Sequence, residues 1–224
     1  MRVNDQILEM DPENIDAINN KGVIYEQNSH YQQPEKYVRL ATDWFEKTIN
    51  KDENYALGWS NKLVCLINSG FLTDAERIIN SIIGTFPTNS YILTEKGRIY
   101  KRNGDYKNAL KYFNKALKYN YTNKILFNKA QTLLQLSKNK ETIGICDDIL
   151  KYDEQNSEVW SLKGDALRRL HQTKKAQKCF EKALKLNPQT NVEKQIAEVY
   201  LQNGNAVKAA SILTGYINRN FSDI

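Results

Sequence analysis

Histidine, cysteine and proline are scarce in this chain, and so are long apolar runs. Its 224 residues hold two histidines, three cysteines and four prolines. His30 and His171 lie far apart at expected turn positions, and neither has a metal-ligand partner at helical spacing. Cys65, Cys146 and Cys179 are scattered through apolar helical patterns. They read as small core residues of a reducing compartment, not as disulfide halves. No glycine-rich phosphate loop or nucleophile elbow is present, and Asp147-Asp148 reads as a solvated pair. Metal, cofactor and catalytic residues are therefore all expected to be none. No apolar run approaches the ~20 residues of a membrane span. Met1 to Met10 lacks the apolar centre of a secretory leader, so the cytoplasm is the expected compartment.

What the chain does have is helical period. From Ser157, apolar Val159, Leu162, Ala166, Leu167 and Leu170 fall on one helical face. After the polar break His171-Gln172-Thr173, Ala176, Phe180, Ala183, Leu184 and Leu186 do the same, and Pro188 ends the run. Two such helices make a hairpin with one apolar flank left wet, so copies are needed on either side. Shifting the chain by 33 or 34 residues supplies them. Gly164 falls on Ala130, Gly97 and Leu63 going back and on Ala197 going forward; Phe180 falls on Cys146, Phe113, Ile79 and Leu213. A fixed period of this length marks a repeat array.

The pattern Trp160-x2-Lys163-Gly164-x2-Leu167, Ala176-x3-Phe180-x2-Ala183, Pro188 resembles the tetratricopeptide repeat family. So does Gly97-x2-Tyr100, Gly104-Asp105-Tyr106, Ala109-x3-Phe113-x2-Ala116. The resemblance implies an all-helical, right-handed superhelical array of antiparallel hairpins. Six repeats are expected, at 15–55, 56–89, 90–122, 123–156, 157–189 and 190–224, in one solenoid domain. Residues 1–14, with Ile7, Leu8, Met10 and Pro12, read as the second-helix remnant of a further repeat: either an atypical cap or, the favoured reading, a segment of a longer array.

Local chemistry fits this parse. Pro12, Pro87 and Pro188 share one position after a second helix; Pro34 is expected to open the second helix of the first repeat. That repeat carries seven extra residues between Tyr25 and Ala41, about two helical turns, with Asn28 to Gln33 as a polar tip. Asn103-Gly104-Asp105 fits a left-handed stop followed by an N-cap. Gly22, Gly97, Gly164, Ala130 and Ala197 are expected where paired helices approach, opposite Ala41, Ala75, Ala109, Ala176 and Ala209. Where the family usually shows leucine, this chain has Lys21, Lys62, Lys96, Lys129 and Lys163; they read as stems along apolar surface with the ammonium in water. A row of ligand-binding lysines is the alternative.

The resemblance places first helices along a concave groove. Its expected lining is Asn19 and Val23, Ser60 and Val64, Thr94 and Arg98, Phe127 and Gln131, Ser161 and Asp165, Lys194 and Glu198. One turn on come Glu26, Ile67, Lys101, Leu134, Arg168 and Leu201. Apolar anchors with flanking charges suit a peptide or helical segment of a partner protein. Charge reversal at Arg98 and Arg168 is expected to weaken partner binding and leave helicity unchanged. One subset of the family grips acidic chaperone tails with a fixed Lys/Asn/Arg constellation. Here only Asn128 matches, with Thr94, Arg98, Glu158 and Leu162 at the other positions.

Net charge is +6, concentrated in the third and fifth repeats. A basic stripe suits nucleic acid, which is the second reading. However, Lys107, Lys111, Lys115 and Lys118, like Lys174, Lys178, Lys182 and Lys185, fall on outer faces of second helices. Aromatics for base stacking are sparse among the groove charges. A third reading is homo-oligomerisation through the ends, where Ile212, Leu213, Tyr216, Ile217 and Phe221 leave an apolar flank. The expected function is a non-catalytic interaction scaffold.

Overall fold

The computed structural model describes residues 2–28, 34–187 and 192–221. Of the expected polar tip at 28–33, residues 29–33 (with His30) lie outside these, as do Pro188 and the Phe221 side chain, while Asn28 ends the second helix of the chain. Among the described residues there are thirteen helices: α1 (Arg2–Met10), α2 (Ile15–Asn28), α3 (Pro34–Lys51), α4 (Ala56–Asn68), α5 (Leu72–Ile82), α6 (Ser90–Arg102), α7 (Tyr106–Tyr119), α8 (Asn123–Gln135), α9 (Asn139–Leu150), α10 (Ser157–Arg169), α11 (Thr173–Leu186), α12 (Glu193–Gln202) and α13 (Ala206–Phe221). From α2 onward they pack as six hairpins, α2/α3 through α12/α13. The chain divides into two compact units, Met1–Tyr121 and Thr122–Ile224.

Helix ends follow from residue chemistry. Asn89, Asp105, Thr122 and Asn156 accept backbone N–H bonds in the first turns of α6, α7, α8 and α10. Five hairpin turns put one residue in the left-handed region. Gly70, Gly104 and Gly204 fill three of them, and Ser137 and His171, both at φ 58°, fill the others. His171 is thus a turn residue. Pro34 opens α3, and the insertion adds a turn to the start of that helix, where Tyr37 packs its ring 6.3 Å from Tyr25 of α2. Trp59 and Trp160 each donate an indole N–H to a carbonyl six residues back, Glu53 and Glu154, at 2.8 Å. This anchors the preceding loop to α4 and α10.

The core of the first unit joins Leu63, Ile67, Ala75, Ile79, Ile92 and Ile99, with a second cluster around Val38, Ala41, Phe45 and Cys65. In the second unit Leu167, Ala176, Phe180, Val192, Ile196 and Val199 join α10, α11 and α12. At their nearest contacts Gly22, Gly97 and Gly164 meet phenylalanine rings, which sequence alone does not place there. A Cβ on Gly22, Gly97 or Gly164 would stand 2.5–2.6 Å from Cε1 of Phe45, Phe113 or Phe180. The ring lies directly over the backbone, and only glycine leaves room for it. Cys65, Cys146 and Cys179 are free and buried. No helix among the described residues is long and apolar enough to cross a membrane.

The lysine column also differs from expectation. Lys21 pairs with Asp5, Lys62 with Glu46, and Lys163 with Asp147 at 2.5 Å. Lys96 Nζ donates to Asn80 Oδ1 at 3.2 Å and lies 5.3 Å from the Tyr112 ring centroid. Each partner is sixteen residues back, on the second helix of the preceding element. These ammonium groups link one hairpin to the previous one instead of ending in water. Lys96 is buried and the other three side chains are half-buried along the way, which periodicity alone did suggest.

Candidate functional site

In the first unit α4 packs against both α2 and α6, bringing three first helices together. Of the expected lining residues, Asn19, Ser60 and Thr94 are buried and Ile67 belongs to the core. Val23, Val64, Arg98 and Lys101 are half-buried, as is Glu26. Polar side chains tie the helices to one another. Asn61 donates to Asn19 Oδ1 at 3.1 Å, and Asn68 donates to Glu26 Oε1 at 3.1 Å. Arg98 donates to Asn68 Oδ1 at 2.6 Å and pairs with Glu95 at 2.5 Å. Burial, with the Arg98 and Arg102 charges adding to it, pulls the Lys101 ammonium down to about 8; Glu95 opposes this.

In the second unit α10 packs on α8, and α12 packs on α11. Leu134 is buried; Phe127, Gln131, Ser161, Asp165, Arg168 and Glu198 are half-buried; Lys194 and Leu201 are exposed. Arg168 bridges Asp165 at 3.2 Å and Glu198 of α12 at 3.0 Å. Arg169 reaches back to donate to the Leu134 carbonyl at 2.6 Å. Burial raises the Asp165 carboxyl, against the lowering pull of the Arg168 hydrogen bond and charge.

Arg98 and Arg168 are thus inter-helix ties. Charge reversal at either would break these ties as well as alter the surface, so the expectation of unchanged helicity does not carry over to this geometry. The missed signal was a carboxylate three residues before each, Glu95 and Asp165, at ion-pair spacing along the helix. The second-helix lysines Lys107, Lys111, Lys115, Lys118, Lys174, Lys178 and Lys185 are exposed, and Lys182 pairs with Glu154 at 3.2 Å. At the chain's last helix Ile212, Leu213 and Tyr216 are half-buried and Ile217 is exposed.

Three clefts lie elsewhere. They lie between the second helix of one element and the hairpin that follows. One of about 460 Å³ is floored by Ile143, Leu167 and Leu170 beside the Lys163–Asp147 pair. Another of about 500 Å³ surrounds the Lys62–Glu46 pair. A third of about 460 Å³ lies beside Ile18 and Trp44.

The tetratricopeptide repeat family model matches residues 90–123 and 157–190. Stress-induced-phosphoprotein 1 of Caenorhabditis elegans is 24% identical, with 82% of this chain and 66% of that protein covered. This chain thus spans just under two thirds of that relative's length. Among solved structures, MamA of Desulfovibrio magneticus RS-1 superposes with a TM-score of 0.66 at 18% identity, covering 77% of this chain and 97% of that one. YrrB, described as a TPR protein with an unusual peptide-binding site, gives 0.59 at 18% identity over 79% and 92%. The APC/C hetero-tetramer Cut9-Hcn1 gives 0.73 at 18% identity over 93% of this chain and 41% of that one. Residues 90–123 and 157–190 are thus tetratricopeptide repeats, and the chain shares the hairpin fold of these structures.

Proposed function

We propose that this protein is a non-catalytic scaffold that holds a peptide or helical segment of a partner protein along the concave side of its first helices. The observation that supports this most is the hydrogen-bonded ladder from Glu26 through Asn68 to Arg98. It fixes three successive first helices side by side while Val23, Val64 and Lys101 stay part-exposed between them. A pre-set face of apolar anchors and fixed charges binds a segment with little ordering cost. Tetratricopeptide repeat proteins generally mediate protein–protein contacts, and YrrB is described as having a peptide-binding site.

The test is affinity capture from lysate of the source cells, with nuclease added, comparing the native chain with a Val64→Lys/Lys101→Glu variant. Both side chains are part-exposed, so the variant keeps its helicity by circular dichroism. A discrete protein retained by the native chain and lost by the variant is expected. A partner retained equally by both removes the first-helix face from the account. Loss of every partner on nuclease treatment moves the function to nucleic acid.

A further inference from the structure

We propose that the outer cleft between α9 and the α10/α11 hairpin is a second docking site, for an acidic amphipathic helix of a partner protein. This goes beyond the first-helix reading and stands or falls independently of it. The cleft has about 460 Å³ of free volume, room for two or three apolar side chains. Its floor is apolar: Leu167 is buried, and Ile143 and Leu170 are half-buried. Its rim is basic, with Lys140, Lys175 and Lys178 all exposed.

The charge balance distinguishes this cleft from the other two. Lys163 is neutralised by Asp147 at 2.5 Å, so the three rim lysines are surplus. The corresponding cleft in the first unit sets Asp43, Glu46 and Asp74 against Lys62 and Arg77, one net negative charge. The cleft beside Trp44 holds Glu13, Lys47 and Lys51, one net positive. Of these three clefts the α9/α10/α11 one carries the largest surplus of one sign over an apolar floor. That calls for an occupant with apolar side chains at its centre and carboxylates at its flanks. Both second helices, α9 and α11, contribute to its lining. A third helix, with anchors four residues apart, lies in such a groove. No aromatic side chain lines it, so it offers single-stranded nucleic acid no stacking platform.

The probe is a fluorescein-labelled peptide of about fourteen residues, with two leucines four apart among glutamates and alanines. Anisotropy with the full chain should give a Kd on the order of 50 µM. Lys140→Glu/Lys178→Glu should weaken binding about tenfold or more, and so should replacing the glutamates by glutamine or the leucines by serine. Lys107→Glu/Lys111→Glu on α7 changes net charge equally and should leave binding within about twofold. Equal loss in that control, or a glutamine peptide that binds as tightly, overturns the proposal. Displacement of the peptide by a single-stranded RNA oligonucleotide that depends on Lys140 and Lys178 would assign the cleft to nucleic acid instead. Sedimentation showing self-association that the Lys140→Glu/Lys178→Glu variant abolishes would assign it to a second copy of the chain.

Discussion

A methyl group added at Gly164 would sit 2.6 Å from Phe180 Cε1, 2.8 Å from Cδ1 and 2.9 Å from Cζ. Carbon atoms prefer about 3.5–4.0 Å, so the ring must retreat by roughly 1 Å. It has nowhere to go, because Phe180 is fully buried. Overpacking of this kind costs about 2 kcal/mol. Alanine in a helix interior returns about 1 kcal/mol relative to glycine. Gly164→Ala should therefore destabilise by about 1 kcal/mol net of these two. Gly144 in α9 is the control, since nothing lies within 4 Å of its would-be Cβ. Gly144→Ala should keep the helix gain alone and stabilise by about 1 kcal/mol. Phe180→Leu costs roughly 1 kcal/mol by itself, but it clears the space above Gly164. The last hairpin already carries this combination, Ala197 with Leu213, at the same positions. In the Phe180→Leu background, Gly164→Ala should thus change sign and become stabilising. Urea unfolding followed by far-ultraviolet circular dichroism reads all five chains. Gly164→Ala at or above native stability, or a penalty that survives Phe180→Leu, would refute the packing argument.

Two further outcomes follow from backbone and burial. Ser137 and His171 hold left-handed turn positions that glycine fills in three sister hairpins; Ser137→Gly and His171→Gly should each raise stability by about 0.5 kcal/mol, the relieved strain exceeding the added chain entropy, and an unchanged or lower urea midpoint in both would count against that. Lys101, drawn down from 10.5 to about 8, makes the folded chain release a proton that the unfolded chain keeps. Stability from this group therefore rises as pH climbs from about 8 to 10.5, so Lys101→Met should stabilise most at neutral pH and not at all by pH 10.5. The buried thiols of Cys65 and Cys146, pushed from 9.0 up to about 12, act in the opposite sense: their full contribution holds below pH 9 and is lost as pH rises towards 12. Thermal melts of the Lys101→Met variant and the native chain across this range separate the two effects.

Much of this architecture is legible in the chain as written. Helical period, proline positions and the Asn-Gly-Asp turn before α7 locate the hairpins, because each is set by residues close in sequence. Contacts between hairpins were harder. The lysine column shows in the sequence, and so does the acidic or amide residue sixteen positions before Lys21, Lys62, Lys96 and Lys163. Reading them as pairs requires knowing that a first helix packs on the preceding second helix at that offset. Ile67 and Leu134 share a helical face with Val64 and Gln131, yet they are buried while the latter are not. A period of 3.6 residues defines a face, but not how far a neighbouring helix covers it. The outer cleft escaped altogether, since Ile143, Leu170 and Lys178 come from three separate helix regions.

The glycine–phenylalanine fit also bears on how such a chain can be cut and rejoined. Gly97 faces Phe113 and Gly164 faces Phe180, while Ala130 shares its hairpin with Cys146. Grafting α11 behind α8 would drive a phenylalanine against Ala130; grafting α9 behind α10 would leave a hollow over Gly164. Matched volumes lie within a hairpin, whereas the lysine links between hairpins ask only for a polar group at one position. Duplication, deletion or shuffling should therefore succeed when breakpoints fall between hairpins, and fail when they fall at the turn inside one.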